Sequence, residues 1–324
     1  MQINEIQLLS EDDFLPTMKN ENRIWREKNV TDGYFESFDG SKLHYIKTVP
    51  NNPKACIVIV HGFCEFFGKY HEFIWYLYQL GFAVYMHEQR GHGYSEGKLP
   101  EHDLVHIDSY KTYVEDLHTF LKKIVNPETT NLKKILFAHS MGGAVSGIFL
   151  VKYPDFFSAA VMSSPMFKML AMKKYNNMQK SLLKFYVRLF RKSKKIGAGQ
   201  HHFTGIPDYK NSSTRSEVRF NYLYEQRIED KHYQTAGATF GWAIASIDAT
   251  KWLSENANKI TIPIDIMTAG QDTLVDADGF KEFKENVPQA VFHNYPDSRH
   301  EIFNASDSTR KKYYMDLFKI LESY

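Results

Sequence analysis

Two segments of this chain hold a serine with a small residue two positions away on either side. That pattern suits a serine standing on a turn too tight for bulkier neighbours, where its hydroxyl can act as a nucleophile. The first is Gly93-Tyr94-Ser95-Glu96-Gly97 and the second is Ala138-His139-Ser140-Met141-Gly142. The pattern alone does not choose between them, but their contexts do. Lys98, Leu99 and Pro100 follow the first, so no helix begins there, and its upstream neighbours are polar. The second is fed by the apolar run Ile135 to Phe137 and leaves into the apolar segment Ala144 to Leu150. Strand, turn and helix in that order aim the Ser140 hydroxyl out of a sheet. They also set the Met141 N–H at a helix start, where it can stabilise an oxyanion. Ala138 stands where glycine is usual and adds one methyl that the turn must accommodate. Ser140 is the expected nucleophile, with Met141 as one oxyanion donor.

A serine nucleophile needs a base and a group that orients the base. With a strand-borne serine of this kind, the chain order is Ser, then Asp or Glu, then His, with the last two after late strands. Asp272 follows the strand-like run Ile264–Thr268 through Ala269-Gly270-Gln271, and His300 follows Ala290–Tyr295. His300 is expected to take the Ser140 proton and return it to the leaving group, with Asp272 fixing its tautomer. Asp276 and Asp297 are alternatives to Asp272, and His293, inside a strand, is a weaker alternative to His300. The second oxyanion donor is expected at the Phe63 N–H, because His61-Gly62-Phe63 closes an early strand. Cys64 lies close by, but the serine turn makes it a poor rival nucleophile.

No cofactor or metal is expected. Gly91-His92-Gly93 does not complete a dinucleotide-binding glycine pattern, and no P-loop is present. His87 and His92, or His201 and His202, lack the accompanying carboxylate or cysteine spacing of a metal site.

The elements that must position these groups follow a βα rhythm. Tyr34–Phe38 and Leu43–Lys47 read as strands around the turn residues Asp39-Gly40, and Ala55–Val60 as a fully buried strand. Tyr70–Leu80 is amphipathic, Gly81 stops it, and Phe82–Met86 is the next apolar run. His106–Val125 has helical spacing through Tyr110, Tyr113, Leu117 and Leu121, and Ala159–Met162 reads as a strand. After Thr250 come the two late strands, a helical stretch at Phe280–Phe283 and a closing helix at Thr309–Leu321. The alternation implies an α/β fold with a mostly parallel central sheet flanked by helices. It is interrupted, which divides the chain into a core of residues 1–165 and 246–324 and a helical cap insertion of residues 166–245. No acid occurs from Phe156 to Pro207, whereas ten Lys or Arg fall between Lys168 and Lys195. Leu182, Leu183, Phe185, Tyr186, Leu189 and Phe190 form an apolar stripe among them. This is either an ordinary surface helix or a basic amphipathic segment resting on a lipid surface.

Composition sets the outer limits. The chain has 324 residues, 40 Lys+Arg against 38 Asp+Glu, 43% hydrophobic and 24% charged residues, which excludes wholesale disorder and gives no basis for nucleic-acid binding. Two cysteines, Cys56 and Cys64, exclude a disulfide framework and suit a reducing compartment. The strongest apolar run, Ala55–Val60, is far short of the roughly 20 residues a membrane helix needs. The N-terminus, with four acidic residues from Met1 to Asn20, does not read as a secretory signal. The expected location is the cytoplasm, either free or peripherally at a membrane. At 15%, the aromatic content fits either a large core or a lipophilic pocket lined with rings.

Taken as a set, several segments resemble the α/β-hydrolase branch that contains monoacylglycerol lipases and lysophospholipases. They are His61-Gly62-Phe63-Cys64-Glu65, Gln89 through Gly97, Ala138 through Gly143, Gly270-Gln271-Asp272 and Arg299-His300-Glu301. The resemblance runs from about Tyr34 onward. Ser213 through Phe220 and Ala238 through Trp242 are similar to the cap of the bacterial lysophospholipase L2 type. The departure is Cys64, which stands where the family has the second glycine of His-Gly-x-Gly-Glu. The resemblance implies an acyl–serine mechanism without cofactor, a lysophospholipid substrate, and a basic cap compatible with a phosphate-bearing headgroup. A monoacylglycerol lipase or broad carboxylesterase is the alternative. A peptidase of the proline-iminopeptidase kind would need an acidic group to hold a free amine, and a non-catalytic membrane- or partner-binding scaffold would need no nucleophile.

Overall fold

The computed structural model describes residues 3–97 and 99–324; Met1, Gln2 and Lys98, the last of them used above to bar a helix after Gly97, lie outside the described residues. The strands are β1 Thr31–Glu36, β2 Lys42–Thr48, β3 Ala55–Val60, β4 Phe82–His87, β5 Leu104–Val105, β6 Lys134–His139, β7 Ala159–Ser163, β8 Gly237–Ala238, β9 Ile264–Ala269 and β10 Val291–Tyr295. Eight of them form one sheet in the order β1-β2-β4-β3-β6-β7-β9-β10. The pairs β1–β2 and β2–β4 are antiparallel and the rest are parallel. The two-residue strands β5 and β8 pair with each other, apart from the sheet.

The helices are α1 Glu11–Lys19, α2 Glu21–Asn29, α3 His71–Gln79, α4 Tyr110–Phe120, α5 Asn126–Glu128, α6 Met141–Lys152, α7 Asn177–Leu189, α8 Glu217–Glu229, α9 Phe240–Asn256, α10 Asp278–Asn286 and α11 Asp307–Ser323. They cover the sheet on both faces, which is why β3 reads Ala-Cys-Ile-Val-Ile-Val without a polar break and is buried throughout. Cys56, Val58 and Val60 point into a core shared with α4, α6 and α9. Ile57 and Ile59 point into the opposite core, shared with α1, α3 and α11. Each such aliphatic side chain contributes about 1.5–3 kcal/mol by burial. Most of the aromatic residues fill these two layers; Phe73 packs on Phe137 at 4.7 Å and Phe167 stacks on Phe283 at 4.0 Å.

The expected elements are present with shifted ends. The helix read from His106 begins at Tyr110, because Ser109 caps it by accepting from the Lys111 N–H at 3.2 Å, while His106 meets Thr239 Oγ1 at 2.8 Å. Its last turn, Leu121–Val125, widens into a π-helix. The N-terminal helices α1 and α2 were not expected: both are short and polar on average, and α1 contains Pro16. Between β7 and α9 the chain leaves the sheet and supplies α7 and α8. No helix among the described residues is long and apolar enough to cross a membrane.

Candidate active site

β6 ends at His139, and Ser140 follows with φ 54° and ψ −121°, a left-handed conformation that a side chain rarely adopts. The turn is held by Ser140 N–H donating to Ser163 O at 3.2 Å and by Gly143 and Met166 N–H groups donating to Ser140 O, both at 2.8 Å. The small residues have steric causes. A Cβ on Gly142 would overlap the Val60 and His61 carbonyl oxygens, and one on Gly143 would overlap Pro165. A Cβ on Gly62 would come within 2.9 Å of the Ser140 Cβ, so the loop after β3 closes directly over the turn. Met141 opens α6, and neither its N–H nor that of Phe63 donates to another protein group among the described residues. Both are therefore available to an anion.

Asp272 and His300 leave the adjacent ends of β9 and β10. Gly270 is the point of contact: a Cβ there would lie 2.5 Å from the Pro296 Cα, so the two loops meet only because it has none. His300 Nδ1 donates to Asp272 Oδ2 at 2.6 Å, while Asp272 Oδ1 accepts from Leu274 and Val275 N–H groups at 2.8 and 3.0 Å. Burial opposes the charge on Asp272, yet His300 and these N–H groups hold its carboxyl below the usual carboxylate value. His300 is also fixed by Ser164 Oγ, which donates to its carbonyl at 2.7 Å. His300 Nε2 is buried without a hydrogen-bond partner, and no hydrogen bond joins it to Ser140 among the described residues. Such contacts tighten when substrate binds.

Of the candidates, it is Asp272 and His300 that meet. Asp276 faces Lys173 at 2.8 Å, and His293 Nε2 meets Asp265 at 2.6 Å instead. Ser95 of the first serine segment is structural: its hydroxyl donates to Glu88 O at 2.6 Å and accepts from His44 N–H at 2.9 Å. His87 and His92 are buried, and burial pushes each down to about 3. Among the described residues no three His, Cys, Asp or Glu side chains converge as a metal site.

The arrangement offers a hydroxyl on a strained turn, an imidazole with one nitrogen unpartnered, a carboxylate on the other, and two N–H groups without a protein acceptor among the described residues. Those are the parts of acyl transfer through a covalent serine intermediate. Replacing Asp272 by Asn should lower kcat by about 10³–10⁴-fold with little change in KM, because the amide no longer enforces the Nδ1–H tautomer. Hydrolysis of a p-nitrophenyl ester measures it, and a loss under tenfold would contradict the orienting role.

Behind these groups lies a polar cluster that sequence reasoning did not assign. Glu65 accepts from Gly62 N–H at 2.5 Å, Tyr70 OH at 2.6 Å, His139 Nδ1 at 2.8 Å and Lys69 Nζ at 2.8 Å. Burial alone would raise its carboxyl, but His139 and Lys69 hold it well below the usual value. Lys69 also bonds Glu301 at 2.7 Å, and the His139 ring lies 4.9 Å from the His300 ring. The cluster thus ties the Gly62–Phe63 loop, the residue before Ser140 and the residue after His300 into one unit. The signal was Glu65 itself, the last residue of His61-Gly62-Phe63-Cys64-Glu65. His61 is neutral, pushed down to about 4 by burial; its Nε2 accepts from Gln89 N–H at 2.7 Å and its Nδ1–H donates to Gly62 O.

Cys64 has φ 56°, so its backbone sits where glycine is favoured. Burial pushes its thiol up to about 12, which makes it a poor nucleophile. Cys64→Gly should be about 1 kcal/mol more stable than Cys64→Ala, since both lose the thiol and only alanine keeps the backbone strain. Urea midpoints compare them; equal stabilities would show that the turn carries no such strain.

The chain matches the family profile described as serine aminopeptidase, S33, over residues 51–307. It is 27% identical to lysophospholipase L2 of Escherichia coli (strain K12) over 296 residues, covering 89% of this chain and 85% of that protein. It is 27% identical to a monoacylglycerol lipase of Mycolicibacterium smegmatis over 277 residues, covering 83% and 90%. Among solved structures, a thermostable carboxyl esterase from Bacillus coagulans superposes with a TM-score of 0.74 at 19% identity, covering 91% of this chain and 98% of that one. That likeness gives the α/β-hydrolase fold.

Proposed function

The chain belongs to the serine aminopeptidase S33 family of hydrolases, and on that premise we propose that it hydrolyses the acyl ester of a lysophospholipid through an acyl–Ser140 intermediate. The observation that carries this reading is the 2.6 Å Asp272–His300 pair beside the strained Ser140 turn. In the proposed cycle His300 Nε2 takes the Ser140 proton as Oγ attacks the ester carbonyl. The Phe63 and Met141 N–H groups stabilise the oxyanion, and the protonated His300 releases the glycerophospho alcohol. Water, activated by His300, then frees the fatty acid. The similarity to lysophospholipase L2 over most of both chains supports the substrate class. A peptidase reading is disfavoured by the acid-free stretch from Phe156 to Pro207; of the later acids Glu217, Glu225 and Asp230, Glu225 faces Lys19 and Asp230 faces Tyr94 and His232.

Residues 166–245 are the proposed cap, and α7 its proposed contact with lipid. Met178, Leu182, Phe185 and Leu189 share one exposed face, while Val187 is buried against the rest of the protein. Lys180 and Arg188 stand on the same helix, so apolar insertion and attraction to anionic headgroups act together. The two cysteines without a disulfide fit a reducing compartment. Phe185→Glu should lower co-sedimentation with phosphatidylglycerol-rich vesicles by about tenfold or more; undiminished binding would contradict the contact.

The second reading is a monoacylglycerol lipase, favoured by the equal identity to the mycobacterial enzyme. Fatty-acid release from lysophosphatidylcholine and from a monoacylglycerol of the same chain length separates the two. A higher kcat/KM on the lysophospholipid supports the proposal, and the reverse order replaces it with the lipase.

A further inference from the structure

A cavity of about 310 Å³ borders Phe63 and Cys64, on the loop that carries an expected oxyanion donor, and also touches Glu301, next to His300. Arg227 lines it from α8. Its Nε donates to Tyr233 O at 3.1 Å and its Nη2 to Thr235 O at 2.6 Å, and the guanidinium stands 4.8 Å from the Phe203 ring centroid. No carboxylate pairs with it among the described residues. The fully buried guanidiniums differ: Arg90 meets Asp39 and Asp116, while Arg219 and Arg310 meet Glu72.

The acids near Arg227 are engaged elsewhere. Glu301 accepts from Lys69 at 2.7 Å, and Asp208 accepts from Asn211 Nδ2 at 2.9 Å. Burial accordingly pulls the guanidinium below its ordinary value. A guanidinium partly withdrawn from water, with no carboxylate in direct contact, is a favourable seat for an anion. The Tyr224 hydroxyl, buried and without a hydrogen-bond partner, lines the same cavity and offers a further donor.

We infer that Arg227 is the phosphate-recognising group of a headgroup subsite, taking the phosphate that the substrate carries on its alcohol part. The inference rests on the proposed acyl-ester chemistry at Ser140. In a lysophospholipid the glycerol unit separates the ester carbon from the phosphate, so a phosphate site must border the oxyanion loop without coinciding with it. The guanidinium fork binds phosphate oxygens through parallel N–H bonds, which an ammonium cannot reproduce.

The test compares kcat/KM on lysophosphatidylcholine with kcat/KM on the matched monoacylglycerol, in wild type, Arg227→Gln and Arg227→Lys. The ratio should fall at least about tenfold in Arg227→Gln and recover only partly in Arg227→Lys. An unchanged ratio in the folded Arg227→Gln protein overturns the subsite and leaves the lysophospholipase reading intact. If wild type cleaves only the monoacylglycerol, that reading falls, and competition against p-nitrophenyl ester hydrolysis decides the subsite. Glycerol 3-phosphate should then inhibit more strongly than glycerol, and Arg227→Gln should abolish the difference; equal inhibition of wild type overturns it. Inorganic phosphate inhibiting as well as glycerol 3-phosphate would mark a site for the free anion and overturn the headgroup assignment. Should Arg227→Gln fail to fold, the same competition on wild type decides whether the subsite stands.

Discussion

Ser140→Ala is expected to reduce acyl-ester hydrolysis at least about 10⁴-fold while the protein remains folded. The size of the effect follows from the covalent route. Without Oγ no acyl intermediate forms, and the residual rate comes only from the oxyanion N–H groups and from substrate positioning. The fold is expected to survive because the backbone at this residue is held by Ser163, Gly143 and Met166 rather than by the hydroxyl. Ser140→Gly should lose as much activity yet be about 1 kcal/mol more stable than Ser140→Ala, because only glycine relieves φ 54°. Steady-state rates on a p-nitrophenyl ester and urea midpoints measure both. Loss of activity accompanied by loss of cooperative unfolding would leave Ser140 with a structural role and contradict the account.

Glu72→Gln is expected to destabilise the protein by about 3–5 kcal/mol, the cost of breaking a buried ion cluster from one side. Glu72 accepts from Arg219 Nε and Nη2, both at 2.9 Å, from Arg310 Nη2 at 2.5 Å and from Tyr76 OH at 2.7 Å. Arg219 and Arg310 also donate to Leu9 O at 3.0 and 2.9 Å. One carboxylate therefore holds α3, α8, α11 and the N-terminal segment together. Burial opposes its charge, yet the two guanidiniums bring its carboxyl down from 4.5 to about 2. A depressed carboxyl stabilises the fold above its unfolded value, and that stability is lost as pH falls through the folded one. The gap between wild type and Glu72→Gln should thus be full above pH 5 and shrink toward zero near pH 2. Chemical denaturation across that range tests it, and a gap independent of pH would contradict the ionised cluster.

These two sites differ in how far they were legible in the sequence. The Ser140 turn declared itself because its determinants are local: an apolar strand, small residues two positions away and an apolar helix. Asp272 and His300 needed only the end of a late strand each and a fixed chain order. The Glu72 cluster has no local trace, since Glu72, Arg219 and Arg310 lie far apart and each alone reads as a solvated surface charge. Glu65 was visible only as part of a motif, and its four donors come together from the loop after β3, the helical turn before α3 and the end of β6. Cys64 departs from the family's glycine, and its left-handed backbone gives the physical reason that glycine is usual there. The basic stretch reads as a charge run, yet Lys168, Lys173 and Lys184 are spent on Glu282, on Asp276 and Asp278, and on Asp248. Their partners lie in α9 and α10 or in the loop before α10, beyond the reach of any local pattern. The guanidinium of Arg227, without a carboxylate partner among the described residues, was equally invisible, because that depends on acids that turn to other partners.

The most direct test of the serine mechanism is labelling with a fluorophosphonate followed by peptide mapping. The reagent reacts with a serine hydroxyl only when a base and an oxyanion site are both in place. Stoichiometric modification of the peptide containing Ser140 is expected, with strong slowing in His300→Ala and no modification in Ser140→Ala. A folded protein that stays unlabelled, or that carries the label on another residue, would contradict it.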